Sequence, residues 1–471
     1  MKKIRAFCLF LAIVLWITGL TPAVFAQQDQ SATSGCHSVD AAMQLSEGGK
    51  LAATSKAVIV YERSSDTMIY TWNPDQRIYP SSMVKLMTAL IAIEKGDLQA
   101  KVLVTKRALS HVAIGSVSAG LVAGEEITLE ALLYCMMAAS ANDAATVIAE
   151  HIAGSQEAFI AMMNQRAAEL GCKDTNYTNV HGLRDENAYT TARDICRITD
   201  AALENETFKT LFQAKIYTVP ATNKSEERII HTTNYMMSRE QVKKHFDSRV
   251  TGGKTGSTDE GGRCLVATAE GGGMELLTVV MGAVPTYEAD GQSIKHFGSF
   301  EETTALLDHV LANYEYRQIF YEGQIITQYP VSNGANFVVV QPQNTAATVL
   351  PVNLDTTKLN WIYGSAEGTF SAPIAQGQEI STLQVWYGSK CLAQTQLVAV
   401  NAVDVYRPAS APVRQGADDG IGVWGIIGII LLALVGIAGI GALVLLTIRL
   451  THKMRLNARR RSRRQNRHRG R

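Results

Sequence analysis

Pro80-Ser81-Ser82-Met83-Val84-Lys85-Leu86-Met87-Thr88-Ala89-Leu90-Ile91-Ala92-Ile93-Glu94-Lys95-Gly96 is the stretch from which the fold of this 471-residue chain is read. Pro80 marks a helix start and Gly96 a stop. Between them Met83, Val84, Leu86, Met87, Leu90, Ile91 and Ile93 cover almost every side, and a helix without a polar face is a central, buried one. Ser82 and Lys85 are three residues apart on one helical face, which puts the amine beside the hydroxyl. Ser82 stands at or near the helix N-terminus, where free backbone N–H groups and the positive dipole end favour developing negative charge. This is the pattern of a nucleophile with its base one turn away. Taken alone the motif is weak, and an ordinary Ser and Lys on a helix is the better reading of it.

The flanking text supplies a domain around that helix. Ala57-Val58-Ile59-Val60-Tyr61 reads as a buried strand, Ser64-Ser65-Asp66 as a turn and Met68-Ile69-Tyr70 as a return strand. Helices are predicted over 129–153, 155–170 and 191–204. Cys264–Thr268 and Leu276–Met281 then flank Gly271-Gly272-Gly273, a hairpin signature, and Phe300–Tyr314 reads as an amphipathic closing helix. Strands, many helices, then strands predict an α+β domain over 51–315 with a mainly antiparallel sheet whose edges come from both ends of the segment. Residues 316–408 change character. Short strands around 337–340, 348–350, 383–387 and 397–400, with no titratable cluster, predict a small all-β sandwich without chemistry of its own.

Both ends read as addresses. Lys2, Lys3 and Arg5 precede an apolar run from Ala6 to Leu20 and small residues before Ala26, the layout of a secretory signal peptide over 1–26. Residues 27–50 read as a tether and 409–420 as a linker. Ile421–Ile448 contains no charge, and 28 residues at about 1.5 Å each span roughly 42 Å, more than the roughly 30 Å hydrocarbon core of a bilayer. Eleven basic residues and no acid follow in 449–471, so the positive-inside rule predicts a transmembrane helix with a cytoplasmic tail and an external body. A basic tail is also suited to anionic lipid or nucleic acid, but stop-transfer and lipid contact are the simpler readings. Fourteen of the 44 basic residues lie in the two ends and none of the 43 acidic ones do. The body is therefore acidic, which argues against nucleic-acid binding. The seven cysteines are scattered without zinc spacing or a dense disulfide framework; export permits disulfides, and buried free thiols explain them equally well.

Two further clusters accompany Ser82 and Lys85. Ser140-Ala141-Asn142 ends an apolar helical stretch and offers a hydroxyl that can relay a proton and an amide that can bind a peptide group. Lys254-Thr255-Gly256, followed by Ser257, enters the strand–turn–strand segment. Its Lys and Thr suit a carboxylate, and Gly256 would let a substrate backbone approach the strand edge.

S-x-x-K, S-x-N and K-T-G in this order form the motif set of penicillin-binding proteins and class A β-lactamases. From about residue 50 to 408 the sequence resembles the low-molecular-weight penicillin-binding proteins that act as serine-type D-alanyl-D-alanine carboxypeptidases. Asn179-Val180-His181-Gly182-Leu183 and Tyr189–Asp194 add to the likeness. The resemblance implies a β-lactamase/transpeptidase-like domain, then a β-rich domain and a C-terminal membrane segment. It implies that Ser82 attacks the D-Ala–D-Ala carbonyl, Lys85 takes its proton and Ser140 returns that proton to the leaving D-alanine. Asn142 would bind the acyl-side peptide, Lys254 and Thr255 the terminal carboxylate, and the backbone N–H groups of Ser82 and Ser257 the oxyanion. No metal or cofactor is implied, and the expected partners are peptidoglycan stem peptides and β-lactam antibiotics. His181 is expected to be structural. Relatives carry an Arg just before the last helix of this domain for the carboxylate, and here Lys295 and His296 stand nearest that place.

Three alternatives stay open at this level. A β-lactamase shares the motifs, although Asn176–His181 lacks the loop Glu of class A enzymes. DD-endopeptidase activity is barely separable from carboxypeptidase activity. A non-enzymatic wall-binding protein would have no need of six intact motif side chains.

Overall fold

The computed structural model describes residues 51, 54–364, 370–407 and 423–465. The predicted signal peptide, the tether and the 409–420 linker lie outside the described residues. So do Cys8 and Cys36; of the five described cysteines three, Cys135, Cys196 and Cys264, are buried.

The chain from residue 54 to Tyr406 is one compact unit. Its first part is built on five antiparallel strands: β1 (Ala57–Glu62), β2 (Thr67–Trp72), β3 (Val250–Thr258), β4 (Gly262–Gly271) and β5 (Met274–Ala283). Their spatial order is β2-β1-β5-β4-β3, so one edge comes from each end of the segment. Alternate residues feed two cores. Ile59, Val266 and Val279 point into the helical side, while Val58, Leu265 and Val280 point to the opposite side. A sheet covered on both faces reads as continuous apolar strands, which is why β1 carries no polar alternation. The β4–β5 hairpin closes through Gly272 and Gly273 at φ 58° and 76°. Positive φ at both loop residues is the two-residue turn that matches strand twist, and only glycine adopts it without strain.

One face is covered by helices, the longest being α1 (Val84–Lys95), α2 (Leu129–Met137), α3 (Asn142–Ala153), α4 (Gln156–Glu169), α5 (Ala192–Leu203) and α6 (Glu206–Phe212). The other is covered by α7 (Ser299–Asn313) through Phe300, Leu306, Leu307 and Val310. Every α1 residue from Val84 to Ala92 is buried, and full burial of each Leu, Ile or Met contributes roughly 1.5–3 kcal/mol. Thr128, Ser155 and Thr191 cap α2, α4 and α5 through their hydroxyls, and each precedes its helix in the sequence as such caps should.

The predicted helix over 129–153 is not continuous. It breaks at residues 138–141, where Ser140 takes φ 62°. A left-handed conformation at a non-glycine residue costs about 1–2 kcal/mol, and the surrounding packing holds it there.

From Tyr314 the chain is β-rich. Tyr314–Phe320 pairs with Ala346–Pro351, and a five-stranded sheet is assembled from 327–329, 338–342, 390–399, 379–387 and 359–363. Phe320, Val340, Leu383, Val385 and Leu397 fill its separate core. The hydroxyls of Thr67 and Thr348, both buried and 3.2 Å apart, join this part to the first. The remaining unit carries one helix, Val423–Gln465, which continues through the basic residues beyond the predicted end at 448. Its stretch Ile430–Leu450 has a mean hydropathy of 2.7 and is long and apolar enough to cross a membrane.

Candidate active site

The three clusters meet where α1 points at the β3 edge. Ser81–Met83 forms a single tight turn before α1, with Ser81 at φ 50°. That turn carries Ser82 to the floor of a cavity of about 240 Å³, which Ser140, Thr255, Gly256 and Ser257 also line. Lys85, Asn142 and Lys254 lie behind this lining, each at least 96% buried.

Lys85 is fully buried and its Nζ has three neighbours: Ser82 Oγ at 3.1 Å, Asn142 Oδ1 at 2.7 Å and the His181 carbonyl oxygen at 2.7 Å. Burial pushes its pKa well below the ordinary lysine value, and the nearby charge of Lys254 pushes the same way. Asp143 opposes both. A neutral amine has two N–H donors and one lone pair. With the two carbonyl-type oxygens taking the donors, the lone pair is left facing the Ser82 hydroxyl, which is the orientation a general base needs.

Lys254 Nζ donates to Ser140 Oγ at 2.8 Å and to the Thr255 carbonyl at 3.0 Å. Burial lowers its pKa from 10.5 to about 7. The helix break is what aims Ser140 at it, since a continued helix would carry that hydroxyl round with the turn. Asp143, one residue after Asn142, secures the neighbouring loop by accepting from Ser118 Oγ and from the backbone N–H groups of Ala119 and Leu121.

Gly256 packs against the turn that carries Ser82. A Cβ there would stand 3.0 Å from Met83 Cε and 3.3 Å from the Ser82 nitrogen. Its bare α-carbon makes room for the Ser81–Met83 turn. Thr255 points to the other face, with its hydroxyl 2.5 Å from that of Thr233.

The segment 179–183, legible in the sequence only as a family likeness, is a support for the site. His181 contributes its carbonyl to Lys85, and its ring is buried, with Nδ1 accepting from the Leu183 N–H. Burial and Lys85 hold the imidazole down at about pKa 4, so it is neutral at ordinary pH. Gly182, at φ 86°, touches the Ser81–Ser82 peptide; a Cβ would fall 1.7 Å from Ser81 O. Lys295 and His296 do not line the cavity. Lys295 is exposed, and His296 faces Glu301 at 3.5 Å. In their place the cavity holds Arg263, with Tyr235, Phe297 and Phe300 forming an aromatic wall. Sequence reading misses Arg263 because a strand arginine just after a turn has no local signature. Among the described residues no group of three or more His, Cys, Asp or Glu side chains is placed to hold a metal.

Residues 43–285 match the family model for D-alanyl-D-alanine carboxypeptidase, and residues 314–405 match that for the penicillin-binding protein 5 C-terminal domain. The chain is 29% identical over 399 residues to D-alanyl-D-alanine carboxypeptidase DacF of Bacillus subtilis, covering 83% of this chain and 92% of the relative. It is 29% identical over 357 residues to DacA of Haemophilus influenzae, covering 74% and 85%. Penicillin-binding protein 5 from H. influenzae superposes with a TM-score of 0.59 at 27% identity over 74% of this chain and 98% of that one. A family model spanning more than half the chain, relatives matched nearly end to end and the same two-part fold together establish that this chain belongs to the D-alanyl-D-alanine carboxypeptidases, serine peptidases of the low-molecular-weight penicillin-binding protein class.

Proposed function

We propose that the carboxypeptidase reaction runs through an acyl-enzyme on Ser82. The observation that carries this is the seating of the Lys85 amine between Asn142 Oδ1 and the His181 carbonyl, with Ser82 Oγ 3.1 Å away. Ser82 Oγ attacks the carbonyl of the D-Ala–D-Ala amide as Lys85 removes its proton. The backbone N–H groups of Ser82 and Ser257 receive the oxyanion; such a donor is typically worth about 2.7–4 kcal/mol in the transition state. The C–N bond then breaks, Ser140 relays to the departing amine the proton that Lys85 took, which leaves Lys85 neutral again and Ser140 a hydroxyl, and Lys254, hydrogen-bonded to Ser140, tunes that transfer. Water cleaves the Ser82 ester and regenerates the hydroxyl. Asn142 keeps its amide N–H for the acyl-side peptide once its oxygen is given to Lys85, and Thr255 donates to the terminal carboxylate.

The substrate is the stem peptide of peptidoglycan, and penicillin acylates the same serine. The apolar Ile430–Leu450 stretch supports anchoring of the chain in a membrane, and the eleven basic residues after Ile448 support a body outside and a tail inside. The purified protein is expected to release D-alanine from a pentapeptide ending in D-Ala-D-Ala and to take up one penicillin adduct on Ser82. Ser82→Ala should abolish both while leaving the circular dichroism spectrum unchanged. An adduct that persists in Ser82→Ala would remove Ser82 from the mechanism.

A further inference from the structure

Two tryptophans of the β-rich part face opposite ways. Trp361 turns inward, its ring 6.5 Å from that of Phe320, and packs against the core of this part. Trp386, on the neighbouring strand Glu379–Tyr387, stays out of that core and is half-buried on the outer face of the sheet. The strand register says what shares this face. Trp386 is directly opposite Asn360 on the strand Leu359–Tyr363. Two residues back, Gln384 stands between Ile362 on that strand and Gln394 on the strand Lys390–Ala399, and Gln396 lies two residues beyond Gln394. Side chains directly opposite in an antiparallel pair, and those two apart along a strand, project from one face. That face carries an indole, an aliphatic side chain and four amides, and none of these six positions is charged.

The amides are ordered as a row. An indole N–H can only donate, and Trp386 Nε1 donates to Gln384 Oε1 at 3.1 Å. That turns the Gln384 nitrogen toward the next strand, where Nε2 donates to Gln394 Oε1 at 2.9 Å. The exposed Gln394 then offers its amide nitrogen at the end of the row. A flat apolar ring beside neutral donors and acceptors matches a sugar, whose ring has an apolar C–H face and hydroxyls around its rim. The C–H face stacks on the indole while the hydroxyls exchange hydrogen bonds with the amides. Two strand spacings by one pleat repeat make the patch about 10 Å by about 7 Å, wide enough for a sugar ring and part of the next. Charge selects among polymers. The body holds more acidic than basic residues and repels an anionic chain, whereas an uncharged face suits an uncharged one.

We propose that this face of the β-rich part binds the uncharged glycan strand of peptidoglycan, with Trp386 as the stacking platform and Gln384 and Gln394 as the hydrogen-bonding row. The stem peptides cleaved at Ser82 are attached to that strand. A second hold on the glycan therefore keeps the enzyme beside the next peptide after each D-alanine leaves, and raises its local concentration. The row is already ordered by its own hydrogen bonds, so less side-chain freedom is lost on binding. None of these side chains lines the catalytic cavity, and only the choice of polymer rests on the carboxypeptidase reading.

The test presents the full chain, in detergent, with bead-immobilised glycan strands from which an amidase has removed the stem peptides. Wild-type protein should be retained. Trp386→Ala should weaken retention about tenfold, Gln394→Ala about threefold, and Trp386→Phe should keep most of it. Trp386→Ala should also release D-alanine from a soluble pentapeptide at the wild-type kcat/KM, but show a raised KM with unchanged kcat when the pentapeptide is still attached to glycan. Equal retention of wild type and Trp386→Ala would overturn the assignment. So would retention only by glycan that still carries its stem peptides, because the peptide would then be what is held. Equal losses of Trp386→Ala on soluble and glycan-linked substrate would reduce the residue to a support of the fold, with the same consequence. Wild-type protein that cleaves the soluble pentapeptide but is not retained would sink glycan binding and leave the carboxypeptidase reading standing. Retention without any release of D-alanine would sink that reading and uphold glycan binding.

Discussion

The Lys85 amine lies 2.7 Å from the backbone carbonyl of His181, a residue 96 positions later in the chain. This contact joins the nucleophile helix to a segment with no secondary structure of its own. The proposed base is held by a carbonyl whose position depends on how residues 179–183 fold, and those residues in turn brace Ser81 and Ser82. Thr88, one turn after Lys85, reinforces the junction by donating to the Val180 carbonyl at 2.9 Å.

Gly182→Ala tests that brace. A methyl group 1.7 Å from Ser81 O, at φ 86°, cannot be accommodated without moving the Ser81–Ser82 peptide. A displacement of about 1 Å at a reacting group costs on the order of 100-fold in rate. Penicillin acylation of Gly182→Ala should slow by about that factor, while the thermal transition remains cooperative. Wild-type acylation kinetics would show that the segment is only packing.

Lys254 makes two pH-dependent predictions. Its charge is one reason Lys85 loses its proton easily, so Lys254→Met should raise the Lys85 pKa. The acid limb of the acylation rate should then move to higher pH, as read from second-order penicillin rate constants across about pH 5–10. Stability should respond as well. Between about 7, the folded value, and 10.5, the unfolded chain binds a proton at Lys254 that the folded chain does not, so stability rises with pH in that window. Lys254→Met should show a shallower rise in Tm over the same range. Identical slopes would mean that Lys254 keeps its ordinary pKa.

The C-terminal helix predicts a physical separation of roles. A chain ending at Tyr406, the limit of the compact unit, should leave the membrane fraction and keep its kcat/KM for the pentapeptide. Protease added to intact cells should degrade the body and spare the tail. Removal of the tail alone would mean that the orientation is reversed.

Much of this architecture is legible in the amino-acid sequence. The apolar α1, the hydroxyl caps at Thr128, Ser155 and Thr191, and the Gly271–Gly273 turn are local signals, carried by residues close together in the chain. What the sequence leaves hidden is set by long-range contact. Ser140 breaks a stretch that is helical by propensity, because the tertiary environment aims its hydroxyl at Lys254. Gly256 faces Met83, and Arg263 faces the cavity because β4 pairs with β3 in one register; a shift of one residue would turn it to the opposite core. Lys295 and His296 are the expected carboxylate partners only because they lie near α7 in the chain, and both fall outside the cavity.

The same cavity composition separates this enzyme from a β-lactamase. Among the described residues lining it there is no Asp or Glu, so no carboxylate stands ready to activate water against the Ser82 ester. With the natural substrate, the severed D-alanine diffuses away and leaves room in which water can approach the ester. An opened β-lactam remains tethered to the acyl group and continues to occupy the leaving-group side. The penicilloyl enzyme should therefore persist for minutes or longer under conditions in which the peptide turns over, as followed by intact-protein mass spectrometry after removal of free penicillin. Placing a carboxylate at the rim, for example by Val117→Glu, should shorten that lifetime if water activation is what is lacking. Penicillin hydrolysed as fast as the peptide by the wild-type protein would show that an unlined route to water exists, and the composition argument would fail.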